Sequence, residues 1–416
     1  MNLGIPRGVQ DILPDEIPFW HLIENTARNL FEKYNYEEIR TPIFEFTELF
    51  IKGTGETTDI VMKEMYTFQD KKGRSLTLRP EGTPGVIRAY LMNKIYATTP
   101  IWKVYYIGPM FRYERPQAGR YRQFHQLGVE VLGRKDPYID FEIINLAIEF
   151  LKTLELENLE VEINSLGCTK CRPAYREALK NYFSQYKDIL SPIDQERLER
   201  NPLRILDSKD EKIIPLKENA PQPLDFLCDD CRNHLERVLK YMKEANLSFK
   251  ISPKLVRGLD YYTRTVFEIT TTSLGAQNAV VGGGRYDNLV ETYGGPSTPG
   301  LGFALGVERL ILLLKQQNKI KIERPLLIFI AIEEEKYVKK AMEIAKILRT
   351  NYRVEMGSPE ESLRTQLKWA DKLNSDYVIF VNQGIENNTL KIKNFKTGEE
   401  KEIKIEELKE LQHIVL

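Results

Sequence analysis

What this sequence lacks narrows its class before any motif is considered. There is no long hydrophobic run: the most apolar stretch, residues 326–332, has the length of a strand, not the roughly 20 residues that a membrane helix needs. The opening Met1-Asn2-Leu3-Gly4-Ile5-Pro6-Arg7 has neither the basic stretch nor the apolar core of a secretory signal, so a cytoplasmic protein is expected. No charge of one sign dominates. Lys plus Arg and Asp plus Glu number 60 each, so nothing recruits nucleic acid through a global positive field, and any such contact must come from local basic surfaces. Internal repeats, low-complexity tracts and heptad arrays are absent. The glycine clusters lack the Gly-Lys-Ser/Thr of a Walker loop and the spacing of a dinucleotide fingerprint, so a bound nucleotide would lie on a sheet face.

Cysteine is confined to Cys168-x-x-Cys171 and Cys228-x-x-Cys231, a usage typical of a reducing cytosol. Two such pairs suit a tetrahedral thiolate zinc site, because each puts two sulfurs on one tight turn; they equally suit surface or packing positions. The segment between them is longer than in a typical zinc ribbon, and no metal is assigned from sequence.

What is present is an ordinary globular composition, 42% hydrophobic and 29% charged, in a chain of 416 residues that exceeds one core and implies two or three domains. Residues 1–163 mix amphipathic helix (19–34) with strand-like runs (103–107 and 124–132), the first part of an α+β domain. From about 164 to 249 the sequence turns charged and helix-favouring, with helices expected at 175–190 and 231–245 between prolines, as in an insertion. Strand alternation and glycine density return over 255–306, followed by a helix over 307–317. The polar stretch 316–324 reads as a linker, placing one domain at 1–324 and a second at 325–416. Within the second, strand 326–332, helices 335–350 and 362–373 and strand 377–381 alternate as in an α/β unit.

The chemistry concentrates in residues 108–133. Residues 110–114 and 123–132 read as strands of a hairpin whose polar loop is Arg115-Pro116-Gln117-Ala118-Gly119-Arg120-Tyr121-Arg122. Period two puts Leu127, Val129 and Val131 on one face and Phe124, Gln126, Gly128 and Glu130 on the other, joined there by Arg112 and Glu114. That second face is expected to bind a ligand, with Phe124 able to stack a base and Gly128 flattening the floor where ligand backbone lies. Glu81 and Thr83, in Leu76-Thr77-Leu78-Arg79-Pro80-Glu81-Gly82-Thr83, fall near a helix start. Arg309 lies in the first turn of a helix, where an arginine opposes the dipole and a phosphate partner accounts for it.

These residues resemble a known family, the histidyl-tRNA synthetases of class II, over essentially the whole length. Ile39-Arg40-Thr41-Pro42 resembles class motif 1, residues 108–133 motif 2 and residues 300–310 motif 3. The more specific family signatures stand here as Arg257-Gly258-Leu259-Asp260-Tyr261-Tyr262 and Gly283-Gly284-Arg285-Tyr286-Asp287.

The resemblance implies an α+β fold: a six-stranded antiparallel sheet flanked by helices, a helical insertion and a C-terminal α/β anticodon-binding domain, assembled as a homodimer. It implies histidine, ATP with Mg2+, and tRNA(His) as partners. It implies that Glu81, Thr83 and Gln126 hold the α-amino group. Glu130 and a tyrosine, Tyr262 or Tyr261, would meet the imidazole. Arg112 and Arg257 would act at the carboxylate and α-phosphate, and Glu114, Arg120, Phe124 and Arg309 would take the rest of the nucleotide. Gln117 would touch the acceptor end. A catalytically silent relative that regulates ATP phosphoribosyltransferase is the competing reading, but it lacks the C-terminal domain and tends to lose the arginines kept here at 112, 257 and 309.

Overall fold

The computed structural model describes residues 3–117, 119–208, 210–271, 279–317 and 324–410, and the chain divides into two compact units, Met1–Lys321 and Ile322–Leu416. The expected linker at 316–324 lies largely outside the described residues.

In the first unit the strands in chain order are β1 (Glu37–Glu38), β2 (Phe44–Phe46), β3 (Tyr66–Gln69), β4 (Ser75–Leu78), β5 (Trp102–Phe111), β6 (Gln123–Leu132), β7 (Leu159–Ser165), β8 (Phe249–Ile251), β9 (Thr263–Thr271), β10 (Ala279–Arg285) and β11 (Gly300–Gly306). Eight form one sheet in the order β1-β5-β6-β11-β10-β9-β7-β8. Its six central strands are antiparallel, as the resemblance implies. Two short parallel strands, β1 beside β5 and β8 beside β7, are added at the edges. Strands β2, β4 and β3 make a separate small sheet.

One face of the large sheet is apolar because period two puts Leu127, Val129 and Val131 there, fully buried against helices Ile17–Lys33, Pro137–Thr153 and Val307–Gln317. Helix Ile17–Lys33 shows why it docks. Trp20, Ile23, Ala27, Leu30 and Phe31 recur at three- and four-residue spacing and form its buried stripe, Pro18 starts it, and left-handed Asn35 lies just past its end. Burying such aliphatic and aromatic side chains stabilises by about 1.5–3 kcal/mol each.

The chain leaves the sheet after β7 and folds into helices Arg172–Ser184, Pro192–Arg200 and Ile214–Glu218 around a small core that includes Tyr175, Leu179, Phe183 and Leu198. It returns through helix Asp229–Glu244, whose Cys231, Leu235, Val238 and Met242 belong to the main core. This returning helix is therefore part of the sheet's apolar layer rather than of the separate insertion core.

The second unit is a five-stranded sheet, β13-β12-β14-β15-β16, from β12 (Leu327–Ile332), β13 (Arg353–Met356), β14 (Tyr377–Val381), β15 (Thr389–Asn394) and β16 (Glu400–Lys404). Ile328, Ile330 and Ile332 meet helix Val338–Leu348 on one face, and Phe329 and Ala331 meet Ala370 of helix Leu363–Lys372 on the other. The first three strands are parallel, and β12, between β13 and β14, is buried on both faces, which is why it reads as an unbroken apolar run.

Candidate active site

The face of the large sheet opposite the helices carries a trench with a floor almost free of side chains. Across it, Tyr106 of β5, Gly128 of β6, Ala304 of β11, Gly282 of β10 and Glu268 of β9 stand in register. Larger neighbours lie over the small residues. A Cβ at Gly302 would collide with the Glu130 carboxylate, one at Gly282 with the Arg257 guanidinium, and one at Gly128 with the Tyr106 ring. The last contact corrects the sequence reading: the space above Gly128 is filled by Tyr106, not kept for ligand backbone.

Two cavities occupy the trench. The inner one, about 140 Å³, is lined by Glu81, Thr83, Glu130, Tyr261, Tyr262 and Tyr286 among others. Glu81 and Thr83 arrive there because β4 ends at Leu78 and helix Thr83–Met92 starts at the trench wall. Thr83 Oγ1 donates to Glu130 Oε1 at 2.6 Å, and the Tyr286 hydroxyl donates to Glu130 Oε2. Thr54 Oγ1 and the Tyr261 hydroxyl donate to the two oxygens of Glu81, at 2.6 and 2.7 Å. Both carboxylates are buried. Loss of water pushes the Glu130 pKa up to about 8; the Thr83 and Tyr286 donors oppose the rise and the nearby Glu81 adds to it. Burial likewise raises Glu81, against its two hydrogen bonds and the pull of Arg112. Gln126 contributes a buried Oε1 with no hydrogen-bond partner among the described residues. A buried acceptor left without a donor is costly, so this oxygen fits a ligand N–H.

The outer cavity, about 280 Å³, is lined by Glu114, Arg120, Phe124, Glu268 and Arg309 among others. Arg112, Gln126 and Arg257 line both cavities and form their common wall. Strand β5 stops at Phe111 rather than running through 114 as the sequence reading had it. The Arg112 N–H bonds the Arg122 carbonyl at 2.8 Å, Glu114 N–H bonds the Arg112 carbonyl at 2.8 Å, and this turn aims both side chains inward. Arg112 Nε donates to the Pro80 carbonyl at 2.8 Å, and its guanidinium sits 5.4 Å from the centre of the Phe124 ring. Arg120 pairs with Glu114 at 3.3 Å. Arg257 pairs with Glu268; burial works against its charge, but Glu268 overcomes that and holds the pKa above the ordinary arginine value. Burial beside Arg120 lowers the pKa of Arg309. An anionic group entering here meets four guanidinium groups.

Residues 8–310 match the family model for histidyl-tRNA synthetase, and residues 326–411 match that for the anticodon binding domain. The chain belongs to the histidyl-tRNA synthetase family. It is 96% identical over 416 residues to the histidine–tRNA ligase of Dictyoglomus thermophilum, spanning all of both chains, and 87% identical over 411 residues to that of Dictyoglomus turgidum, covering 99% of this chain and 100% of that one. Its structure is similar to that of apo histidyl-tRNA synthetase from Staphylococcus aureus, with a TM-score of 0.82 at 38% identity over 98% of this chain and 99% of that one.

Against this family frame, the residues singled out from sequence divide cleanly. Glu81, Thr83, Glu130, Tyr261 and Tyr262 line the inner cavity; Glu114, Arg120, Phe124 and Arg309 line the outer one; Arg112, Gln126 and Arg257 line both. Gln117 lines neither and sits exposed at the hairpin tip, bridged to Arg120. The sequence reading missed the roles of Tyr286, Glu268, Thr54 and Tyr106. Tyr286 stands inside a quoted signature, and Glu268 is the lone acid on strand β9, between Phe267 and Ile269, so both carried a signal; Tyr106 looks like any core aromatic. Arg285 of the same signature points away. It is fully buried, with Nε at 3.0 and 2.9 Å from the two oxygens of Asp140. The four cysteines, spread over two segments of the chain, come together.

Proposed function

We propose that the two cavities are the amino-acid and nucleotide halves of one adenylation site, and that this chain is a histidine–tRNA ligase. Histidine and ATP give histidyl-adenylate and pyrophosphate, and the histidyl group then passes to the terminal adenosine of tRNA(His). The observation that supports this reading is the common wall of Arg112, Gln126 and Arg257, whose cationic groups suit a carboxylate in one cavity and a phosphate in the other.

In the inner cavity the ammonium protons of histidine need acceptors, and Glu81, Thr83 and the partnerless oxygen of Gln126 supply them. Glu130, held by Thr83 and Tyr286, accepts from one imidazole nitrogen. The second nitrogen falls to Tyr262, since the Tyr261 hydroxyl is already given to Glu81. Arg112 and Arg257 hold the attacking carboxylate and the α-phosphate together and stabilise the charge that builds during in-line displacement. Phe124 stacks the adenine; Arg120 and Arg309 take the outer phosphates. The hard carboxylate oxygens of Glu114 and Glu268 are the donors on this side that suit Mg2+, which typically keeps several waters and binds through one or two carboxylates plus phosphate. When bound, the ion would neutralise charge on the departing pyrophosphate.

The exposed motif 2 hairpin, with Gln117 and its arginines, meets the acceptor end, and the second unit meets the anticodon. We place the protein in the cytoplasm with its tRNA. Among the described residues no helix is long and apolar enough to cross a membrane. A homodimer would cover Phe44, Phe46 and Phe68, which lie exposed on the small β2–β4–β3 sheet with the Phe44 and Phe68 ring centres 6.4 Å apart.

Exchange of labelled pyrophosphate into ATP, run with each amino acid in turn, tests the reading. Exchange with histidine alone is expected, and its absence with histidine would overturn the assignment and favour a regulatory protein on the same fold.

A further inference from the structure

The segment 165–249 leaves the sheet and comes back through two places that meet at sulfur. Cys168 and Cys171 lie just before helix Arg172–Ser184, and Cys228 and Cys231 open helix Asp229–Glu244. The four Sγ atoms all lie within 4.8 Å of one another, with Cys168 Sγ at 3.7 Å from Cys171 Sγ and 3.9 Å from Cys228 Sγ. These spacings are too long for a disulfide, whose sulfurs stand about 2.05 Å apart. They match the edge of a tetrahedron around zinc: Zn–S bonds of about 2.3 Å put the sulfurs about 3.8 Å apart.

The surroundings are also those of a thiolate cluster. Cys171 and Cys231 are buried, Cys168 and Cys228 half-buried, and the Cys228 N–H donates to Cys171 Sγ at 3.1 Å. Gly167, with φ of 68°, lets the chain turn tightly there; a Cβ on it would strike Cys171. The charges of Arg172 and Arg264 act on Cys168 and Cys231, countering the negative charge of a metal-bound tetrathiolate.

We propose that Cys168, Cys171, Cys228 and Cys231 bind one structural zinc ion per chain, a closed site with all four positions filled by protein. Binding converts four thiols to thiolates and releases four protons. The ion staples the two ends of the inserted segment, 57 residues apart between Cys171 and Cys228. It also fixes the inner cavity from behind. Arg172, next to Cys171, donates to the carbonyls of Asp260 and Tyr262, and Arg264 N–H donates to the Gly167 carbonyl at 2.9 Å. The 257–262 segment is thereby anchored to the knuckle, and Arg172 acts as a positioning residue without touching substrate.

The test is metal analysis of untagged, full-length protein purified without chelators, with zinc release read by a chromophoric chelator after mercurial attack on the thiols. One zinc per chain is expected, together with the intense thiolate-to-cobalt charge-transfer bands of a four-sulfur site when Co2+ replaces it. Cys168→Ser, at a half-buried position, should lose the stoichiometric zinc and lower the thermal midpoint; cobalt spectra of the unaltered protein give the same answer should that variant fold poorly. Zinc removal should raise the KM for histidine more than that for ATP. Reduced protein that takes up no stoichiometric zinc, or non-reducing digestion that yields a peptide cross-linked between these cysteines, overturns the proposal.

Discussion

Replacing Glu130 with glutamine changes one oxygen for an amide with almost no change in shape, and its effects on activity and stability should have opposite signs. The carboxylate is the proposed acceptor for an imidazole N–H in a site closed to water, and losing a hydrogen bond to a charged group costs about 1.5–3 kcal/mol. At about 1.4 kcal/mol per factor of ten, Glu130→Gln should raise the KM for histidine about 10- to 150-fold. The KM for ATP should hold, because Glu130 lines the inner cavity and not the outer one. Stability should move the other way. Glu130 goes from an ordinary value of 4.5 to about 8 on folding, so the folded chain holds the extra proton. The stability linked to that proton is complete below the unfolded value and is lost as pH rises through the folded one, at up to about 1.4 kcal/mol per pH unit. The glutamine variant carries no such penalty, so its unfolding midpoint should exceed the parent's near pH 8 and approach it near pH 5. Pyrophosphate exchange against histidine concentration and denaturant melts at the two pH values measure both halves. A histidine KM within about twofold of the parent's would refute the assigned contact, since about 0.4 kcal/mol is too little for a buried charged hydrogen bond.

Arg257→Ala should slow adenylate formation about 100- to 1000-fold, the cost of removing one preorganised transition-state donor, while histidine binding by calorimetry falls far less; equal losses in both would move Arg257 from catalysis to binding. Phe124→Leu should raise the KM for ATP by the about 1–3 kcal/mol that base stacking on an aromatic ring contributes, with the histidine KM unchanged; an unaltered ATP KM would remove Phe124 from the adenine site. Arg285→Met leaves Asp140 buried without its main partner and should cost about 3–5 kcal/mol in denaturant unfolding. Burial disfavours the Asp140 charge, but Arg285 and then His234 hold its pKa below the ordinary carboxylate value. The parent's stability from this pair is therefore present above the unfolded carboxylate value and lost as pH falls through the folded one. The Arg285→Met acid-unfolding curve should lack that component, and an unshifted curve would contradict the pairing.

The buried side of this fold was legible because side-chain period alone decides it. Leu127, Val129 and Val131 had to face helices once residues 123–132 were read as a strand, and the β12 run could only be a strand covered on both sides. Strands β15 and β16 were not legible. Only Leu390, Ile392 and Ile403 bury there, among lysines and glutamates that pair across the exposed face, as Lys391 and Lys393 do with Glu400. The turn after Phe111 was missed because it depends on the Arg122 carbonyl across the hairpin, which no local pattern announces. Gly128 failed for a related reason: sequence reveals that a Cβ is missing but not whose atoms take its place.

The inner cavity explains why a fold would tolerate two buried carboxylates whose pKa values burial raises, with Glu81 adding to the rise at Glu130. Glu81 and Glu130 are each satisfied by two neutral hydroxyls, while the protein cation acting on Glu81 is Arg112, in the wall shared with the nucleotide side. Such a pocket is short of positive charge until a ligand brings it. Histidine does, with an ammonium group beside Glu81 and Gln126 and an imidazole N–H at Glu130. An apolar amino acid of similar size would bring the same ammonium group but no imidazole, leaving Glu130 and the Tyr262 hydroxyl without their ligand partners, and sites built to hydrogen-bond their substrate reject analogues lacking the group by about 10⁴- to 10⁵-fold. The same electrostatic cost that makes Glu130 a burden to the empty protein is thus what makes it selective, so selectivity can come from binding alone.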